Sequence, residues 1–393
     1  MKLTKHIYNI PASCCFVDAL AQKLEQEFAG HLIDLPEVLI LLPNRRACKS
    51  LADAFVRHRG LSPTLLPRMM PIGDVDEDDL VLSSYEAGSA LLEVKPAVER
   101  TERLMLFTKI IMARPTDYGV EKIGAAQACA LAQELAGLID TVNNEELDFS
   151  NLQNLVPEEY AAHWQQTLKF LEIITTYWPQ ILQERGVCDA SERRSCLLQK
   201  QCDVWAKNPP QGRIIIAGST ATFPIMKRLV DIVSQLPQGE VVLSGLDKAL
   251  DEDSWIEIDD THPQFELKEL LEYLGVNRNE VVDVCPSLFA DREVLVSEVM
   301  RPASTTDKWL ALKKKGVSPQ ALDGIKLIDC ADVRQEALAI ALIMREVLET
   351  PEKTAALVTP DRNLARRVAG ELERWNIKVD DSAGRPLFFA FVA

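Results

Sequence analysis

The sequence lacks the features that mark membrane and exported proteins. None of its uninterrupted apolar runs reaches about 18 residues, the length expected of a membrane-spanning helix. The first residues, MKLTKHIYNIPAS, carry two lysines but only a short apolar stretch, so we predict no signal peptide. We therefore expect a cytoplasmic protein that makes no membrane contact.

Cysteine pairs with the spacing of metal sites or redox motifs are also missing. The nine cysteines are odd in number, and no C-x-x-C occurs. Cys188, Cys196 and Cys202 form a loose cluster whose spacing suits helix faces better than a zinc site. We predict buried free thiols in a reducing cytoplasm, and no metal ligands.

Recognisable catalytic motifs are absent as well. There is no G-x-S-x-G, and none of the five histidines lies in H-E-x-x-H or another metal spacing. We therefore predict no catalytic residue in this chain. Core or interface packing is the default interpretation of the six tryptophans, with Trp164 and Trp178 as alternative anchors for a partner protein.

Positive charge is scarce, because 43 basic residues face 59 acidic ones and the net charge is −16. Affinity for DNA depends largely on cationic contacts to phosphates, so this balance argues against an autonomous, tight nucleic-acid binder. A local basic groove, or DNA held jointly with a partner, stays compatible with it.

Strand and helix patterns alternate over much of the chain. Each predicted strand precedes a helical pattern, which is typical of parallel sheets covered on both faces. The predicted strands are HIYNI, VLILLP, LLPRMMP, RIIIAGS, EVVLSGLD, GIKLIDC and TAALVTP. Residues 87–207 instead hold four helical patterns without strands, which predicts an all-helical bundle inserted into an α/β domain.

One internal similarity predicts two related α/β domains. Residues 39–58, LILLPNRRACKSLADAFVRH, align with residues 356–375, ALVTPDRNLARRVAGELERW. Both segments read as strand, proline, helix cap, arginine and amphipathic helix. Cations in a first helical turn oppose the helix dipole, and a bound phosphate would remove that conflict. Phosphate binding by Arg45, Arg46, Lys49 and Arg362 is therefore one interpretation; solvated or acid-paired side chains are the other.

The turn after the first strand has the position of a phosphate loop without its residues. A phosphate loop needs glycines and a lysine, yet the first glycine of the chain is Gly30. The strand RIIIAGST similarly ends without the acids that hold Mg²⁺ in ATPases, and Asp247 after the next strand is predicted to cap a turn. We predict a degenerate nucleotide site at Pro11, Ala12, Ser13, Cys14, Cys15, Gly218, Ser219 and Thr220.

The acidic run from Asp74 to Asp79 is the one candidate for a metal site. Adjacent carboxylates do not converge on one point in a helix or a strand, so a solvated loop is the better interpretation.

Together, several segments resemble the N-terminal part of the AddB family, from residue 6 to about residue 387. They are IPASCCFVDALAQKL, ILLPNRRACKSLADAF, LLPRMMPIGDVDEDDL, FLEIITTYWPQILQERGVCDASERR, IIIAGSTATFP, VVLSGLDKALDEDSW, HPQFELKELLEYLG and VDDSAGRPL. AddB partners the AddA motor in a heterodimeric helicase–nuclease that processes double-strand DNA breaks. The resemblance implies an inactivated superfamily 1 helicase fold with RecA-like domains and an inserted helical subdomain. Residues 1–86 and 209–318 would form the first RecA-like domain, 87–208 the insertion, and 319–393 the start of a second.

The resemblance also implies a role in binding single-stranded DNA and recognising the Chi sequence. By motif position, the single-stranded DNA would contact Asn44, Arg45 and Arg46, with Lys49 nearby, and then Arg68. In the second domain it would contact Thr359 and Arg362. This chain would have no ATPase or nuclease activity of its own. The family's nuclease domain, with its iron–sulfur cluster and Mg²⁺, would lie beyond residue 393. We therefore expect a fragment, a truncated gene product or one part of a split protein, without a cofactor.

Two other functions stay open at this point. One is a cytoplasmic NTPase with an unusual phosphate loop, which ATP binding sensitive to mutation near Ser13 would favour. The other is a protein-interaction adaptor that makes no DNA contact.

Overall fold

The computed structural model describes residues 5–60, 65–72, 94–113, 123–147, 170–382 and 384. The acidic run from Asp74 to Asp79 and Trp164 lie outside these ranges. The chain divides into two compact units, residues 1–321 and residues 322–393. Within the described ranges, no helix has the length and apolarity needed to cross a bilayer.

The first unit is built on a six-stranded, all-parallel sheet, which confirms the predicted α/β class. The strand order is β3-β2-β4-β5-β1-β6. The strands are β1 (Ile7–Ile10), β2 (Leu39–Leu42), β3 (Arg68–Pro71), β4 (Ile214–Ala217), β5 (Gly239–Ser244) and β6 (Val282–Asp283). The strand predictions at HIYNI, VLILLP, LLPRMMP, RIIIAGS and EVVLSGLD are confirmed.

The described residues of the two units contain fourteen α-helices. They are α1 (Phe16–Glu27), α2 (Arg45–Arg59), α3 (Arg100–Ala113), α4 (Ala125–Asn144), α5 (Trp178–Arg185), α6 (Ala190–Lys207), α7 (Pro224–Gln235), α8 (Glu252–Ile256), α9 (Phe265–Leu274), α10 (Ala290–Val299), α11 (Trp309–Lys315), α12 (Pro319–Leu322), α13 (Val333–Leu348) and α14 (Arg362–Glu373).

Alternate residues of each strand are buried on opposite faces of the sheet. Ile40, Leu42 and Val242 pack with α1 and α2 on one face. On the other face, α6, α7 and α9 pack with a second set, Leu39, Leu41, Ile214, Ile216, Val241 and Leu243. Burial on both faces explains why the strands are continuous apolar runs, with no polar residue at every second position.

The helices between β3 and β4 have an apolar core of their own. Phe107, Leu135 and Trp178 lie in it, on α3, α4 and α5. Trp178 is almost completely buried, so its interpretation as a partner anchor is wrong and the core interpretation is confirmed. Helix α6 follows these helices in sequence but packs against α7 as well as α4, and so reaches the core of the sheet.

The second unit is described by itself. Its α13 and α14 pack together through buried Ala337, Ala341, Leu364, Val368 and Leu372. The predictions of strands at GIKLIDC and TAALVTP are wrong, because residues 325–330 and 353–359 form no ladder with any described strand. Leu327 and Val358 are accordingly almost fully exposed, since an extended segment becomes a sheet strand only beside a partner.

Candidate functional site

The connections that leave the carboxyl ends of neighbouring strands go to opposite faces of the sheet. β1 leads into α1 on one face, whereas its neighbour β5 leads towards α9 on the other. The adjacent strands β2 and β4 diverge in the same way, towards α2 and α7. Open parallel sheets bind ligands in the crevice outside such a switch point. The carboxyl edge of β2, β4, β5 and β1 is therefore the candidate site.

The turn after β1 is short and closed. The Cys14 N–H donates to the Pro11 carbonyl at 3.0 Å, and α1 begins two residues later at Phe16. The Phe16 ring lies against Gly218 at the end of β4, where an added Cβ would come within 3.2 Å of the ring. Gly218 has a φ of +69°, a conformation that glycine adopts without strain. The aromatic ring that follows the turn after β1 thus packs against the end of β4.

The polar groups of Ser13 in this turn bind partners from the segment after β6. The backbone N–H of Ser13 donates to the Glu293 carboxylate on α10 at 2.9 Å. The Ser13 hydroxyl lies 3.0 Å from the Ser287 hydroxyl and accepts from the Leu288 N–H at 3.0 Å. In a phosphate loop, backbone N–H groups hold the phosphates. Here a carboxylate of the chain itself takes that place, and its charge opposes a second anion.

Polar groups in the turns after β4 and after β5 form hydrogen bonds within their own turn. The Ser219 hydroxyl accepts from the Ala221 N–H at 3.1 Å, and the hydroxyls of Thr220 and Thr222 lie 3.1 Å apart. Asp247 accepts from the N–H groups of Ala249 and Leu250 at 2.8 and 3.0 Å. Its predicted role as a turn cap is therefore confirmed.

A cavity of about 230 Å³ opens beside these groups, at the ends of β2 and β4. Gly218, Ser219 and Thr220 line it together with Pro43, which directly precedes the helix cap of α2. Arg194 of α6 lines the same cavity and contacts Asn144. The structure thus brings the predicted residues after β4 close to the predicted DNA-contacting turn after β2.

The basic cap of α2 lies at the carboxyl edge, as the sequence predicts. The Asn44 side chain accepts from the Ala47 N–H at 2.9 Å, which confirms its capping role. Asn44, Arg45, Arg46 and Lys49 are all exposed. They lie at the surface at the start of α2, directly after Pro43 of the cavity wall.

Arg68 does not join this cluster. It is exposed and lies at the amino end of β3, paired in register with Leu39. Asn44 follows Leu39 by five residues, two positions beyond the end of β2, which places Arg68 roughly 17 Å from it along the strand direction. A single ligand segment that contacts the α2 cap would reach Arg68 only by crossing the length of the sheet.

The candidate residues of the second unit form their own cluster. Arg362 makes a two-pronged ion pair with Asp381, with nitrogen–oxygen distances of 3.0 and 2.8 Å. This pairing raises the pKa of Arg362. The Thr359 hydroxyl accepts from the Asp361 N–H at 3.1 Å, while Asp361 caps α14 through Asn363. Arg362 is thus paired with an acid, the alternative that the sequence left open.

Four residues that shape the turn after β1 could not be found from the sequence. Phe16, Cys285, Ser287 and Glu293 were not among the predicted site residues, and the last three follow Ser13 by more than 270 positions in the chain. Among the described residues, no three His, Cys, Asp or Glu side chains come together as a metal site.

Comparisons with known proteins add no identification to this geometry. No family model matches the chain, and no curated protein matches it.

Proposed function

We propose that this chain is the non-catalytic, helicase-like region of an AddB-type subunit, which docks on an AddA-type motor and guides single-stranded DNA during double-strand break repair. In this proposal the six-stranded sheet is the first RecA-like domain. The helices from α3 to α5, which share a separate apolar core, are the inserted subdomain. The unit from residue 322 onward begins a second RecA-like domain.

The occupied turn after β1 is the observation that carries the proposal. The Phe16 ring fills the space beside Gly218, and the Glu293 carboxylate binds the N–H that a phosphate would use. A parallel sheet whose first turn is closed by side chains of the chain itself suits a scaffold better than a motor. It favours this role over the rival NTPase, which needs an open anion site.

An exposed apolar surface in the first unit supports docking on a partner protein. The α10–α11 surface consists of Val296, Val299, Met300, Trp309 and Leu310, of which Leu310 is 69% exposed. The Trp309 indole N–H donates to the Glu298 carbonyl at 2.8 Å, so the end of α10 and the start of α11 are joined. Contiguous exposed apolar residues of this kind mark protein–protein contact sites.

Leu310→Glu is expected to weaken the complex with the motor subunit. A charge at a desolvated contact should lower affinity at least about 30-fold, the loss of a hot-spot residue worth about 2 kcal/mol. The measurement is co-purification of the tagged chain with the AddA-type subunit of its host, followed by titration of the purified partners. Val56→Glu, at an exposed apolar position on α2, is the matched control and should leave binding unchanged. Equal loss in both variants, or in neither, contradicts docking through the α10–α11 surface.

A double variant, Arg45→Ala with Arg46→Ala, is expected to weaken DNA binding by the assembled complex. Each lost phosphate contact on single-stranded DNA flattens the dependence of log K on log salt by about 0.7, so two contacts should flatten it by about 1.4. The measurement is fluorescence anisotropy of a labelled single strand at several salt concentrations.

Arg68→Ala is the control for the DNA path, because Arg68 lies at the opposite edge of the sheet. It should leave the salt slope unchanged if the strand follows the carboxyl edge. An unchanged slope in the Arg45/Arg46 variant, with the motor complex intact, would instead favour the adaptor that makes no DNA contact. Saturable ATP binding by the isolated chain, abolished by Ser13→Glu, would favour the NTPase.

A further inference from the structure

Two cysteines that are far apart in sequence meet where the segment after β6 covers the turn after β1. The sulfur of Cys285 lies 3.3 Å from that of Cys14, and the Cys14 thiol donates to the Pro286 carbonyl at 3.4 Å. Both thiols are free and partly buried. They lie on the α1 face of the sheet, packed against its apolar core.

The backbone on both sides of this contact is held in place by other bonds. β1 and β6 are adjacent parallel strands, and the Val284 N–H donates to the Asn9 carbonyl at 2.8 Å. On the far side, the hydroxyls of Ser13 and Ser287 lie 3.0 Å apart. The two sulfurs are therefore held near each other by the fold, and a separation of 3.3 Å is within about 1.3 Å of a disulfide bond length.

We propose that Cys14 and Cys285 form a reversible disulfide that fastens the segment after β6 onto the turn after β1. This is a modification site of the chain itself, and it does not depend on the proposed function. The oxidant is a peroxide, and cellular thiols reverse the bond by exchange. Under oxidising conditions the disulfide would hold the segment after β6 against the turn after β1.

The chemistry balances with one peroxide for each bond. The Cys14 thiolate attacks one peroxide oxygen and breaks the O–O bond, giving a sulfenic acid and, after proton transfer, water. The Cys285 sulfur then attacks the Cys14 sulfur and displaces hydroxide, which takes the proton of the Cys285 thiol and leaves as a second water. The two sulfurs together lose two electrons, and the peroxide gains them.

The surroundings assign the order of the two cysteines. Partial burial, the contact with the Cys14 thiol and the charges of Asp283 and Glu293 raise the pKa of Cys285 to about 11. Cys285 is also the thiol that donates to the Cys14 sulfur, and since the thiolate is the form that attacks peroxide, we assign Cys285 as the resolving thiol. Cys15, next to Cys14, hydrogen-bonds instead to Asp18, so its thiol is engaged elsewhere.

The test is oxidation of the full, reduced chain with a small excess of hydrogen peroxide. Remaining thiols are then blocked, and peptides are mapped by mass spectrometry without reduction. The expected product is the Cys14 peptide joined to the Cys285 peptide, with two thiols lost per chain and full recovery after dithiothreitol. Amide exchange in residues 284–289 should slow in the oxidised form.

Three serine variants decide which sulfurs are joined. Cys15→Ser should retain the link, which removes the ambiguity of the adjacent cysteines in one peptide. Cys14→Ser and Cys285→Ser should each abolish it, while circular dichroism shows an unchanged fold. The proposal is overturned if the link joins Cys15 or Cys48, if it survives in Cys285→Ser, or if Cys14 proceeds to sulfinic acid with no cross-link in the unmodified chain.

Discussion

Asp189→Ala is expected to lower the free energy of unfolding by about 2–4 kcal/mol, because it leaves a buried N–H donor without an acceptor, at about 1–3 kcal/mol, and removes a helix cap worth about 1 kcal/mol. Asp189 is only 2% exposed, and Arg103 Nε lies 3.0 Å from its Oδ2. The same oxygen accepts from the Trp178 indole N–H at 3.0 Å. Alanine would leave the indole N–H buried without its acceptor, and α6 would lose its cap at Ser191, while Arg103 would keep its ion pair with Asp140 at 3.0 Å.

Urea titration followed by tryptophan fluorescence measures this loss, because Trp178 itself reports on the site. Asp203→Ala is the matched control on the same helix. Asp203 also pairs with an arginine, Arg228, at 2.7 Å, but both side chains are more than 40% exposed. Exposed pairs contribute roughly 0.2–1 kcal/mol, so the control should remain near the parent. Similar losses in the two variants would show that burial does not set the strength of the Asp189 contacts.

The sequence predicted the sheet well because each strand carries its own signal. VLILLP and RIIIAGS are apolar on both faces, and only a strand covered by helices on both sides needs that pattern. The Asn44 helix cap was equally predictable from the sequence, since its partner, the Ala47 N–H, is only three residues away. The strands at GIKLIDC and TAALVTP carry the same pattern but form no ladder, because pairing depends on a neighbour that local sequence does not specify.

Only part of the candidate site could be predicted from the sequence. The missing glycines and acids predicted a degenerate nucleotide site, and that prediction needs no coordinates. What occupies the position instead depends on contacts between distant segments. Glu293 reaches Ser13 across 280 positions, and Cys285 reaches Cys14 across 271. No periodicity or motif links such pairs, so the filled turn could be found only in the fold.

Gly239→Ala is expected to destabilise the sheet by roughly 3 kcal/mol or more, at the upper end of the range for overpacking. Gly239 is buried at the start of β5, directly after α7, and pairs with Ile214 of β4. An added Cβ would lie 1.9 Å from the Val233 carbonyl oxygen and 2.9 Å from the Leu236 Cβ. The first of these is a backbone atom of α7, so no side-chain rotation relieves the clash. Either the end of α7 or the start of β5 must move.

Gly137→Ala tests the same substitution where the physical expectation has the opposite sign. Gly137 lies exposed in the interior of α4, and an added Cβ would meet nothing within 4 Å. Alanine there should raise the free energy of unfolding by about 0.5–1 kcal/mol, because glycine loses more backbone entropy in a helix. The urea midpoint of Gly239→Ala should therefore lie below that of the parent protein, and the midpoint of Gly137→Ala above it. If Gly239→Ala is tolerated, α7 and β5 can move apart at little cost in free energy. The distance of 1.9 Å between the added Cβ and the Val233 carbonyl oxygen would then not limit the packing of α7 on the sheet.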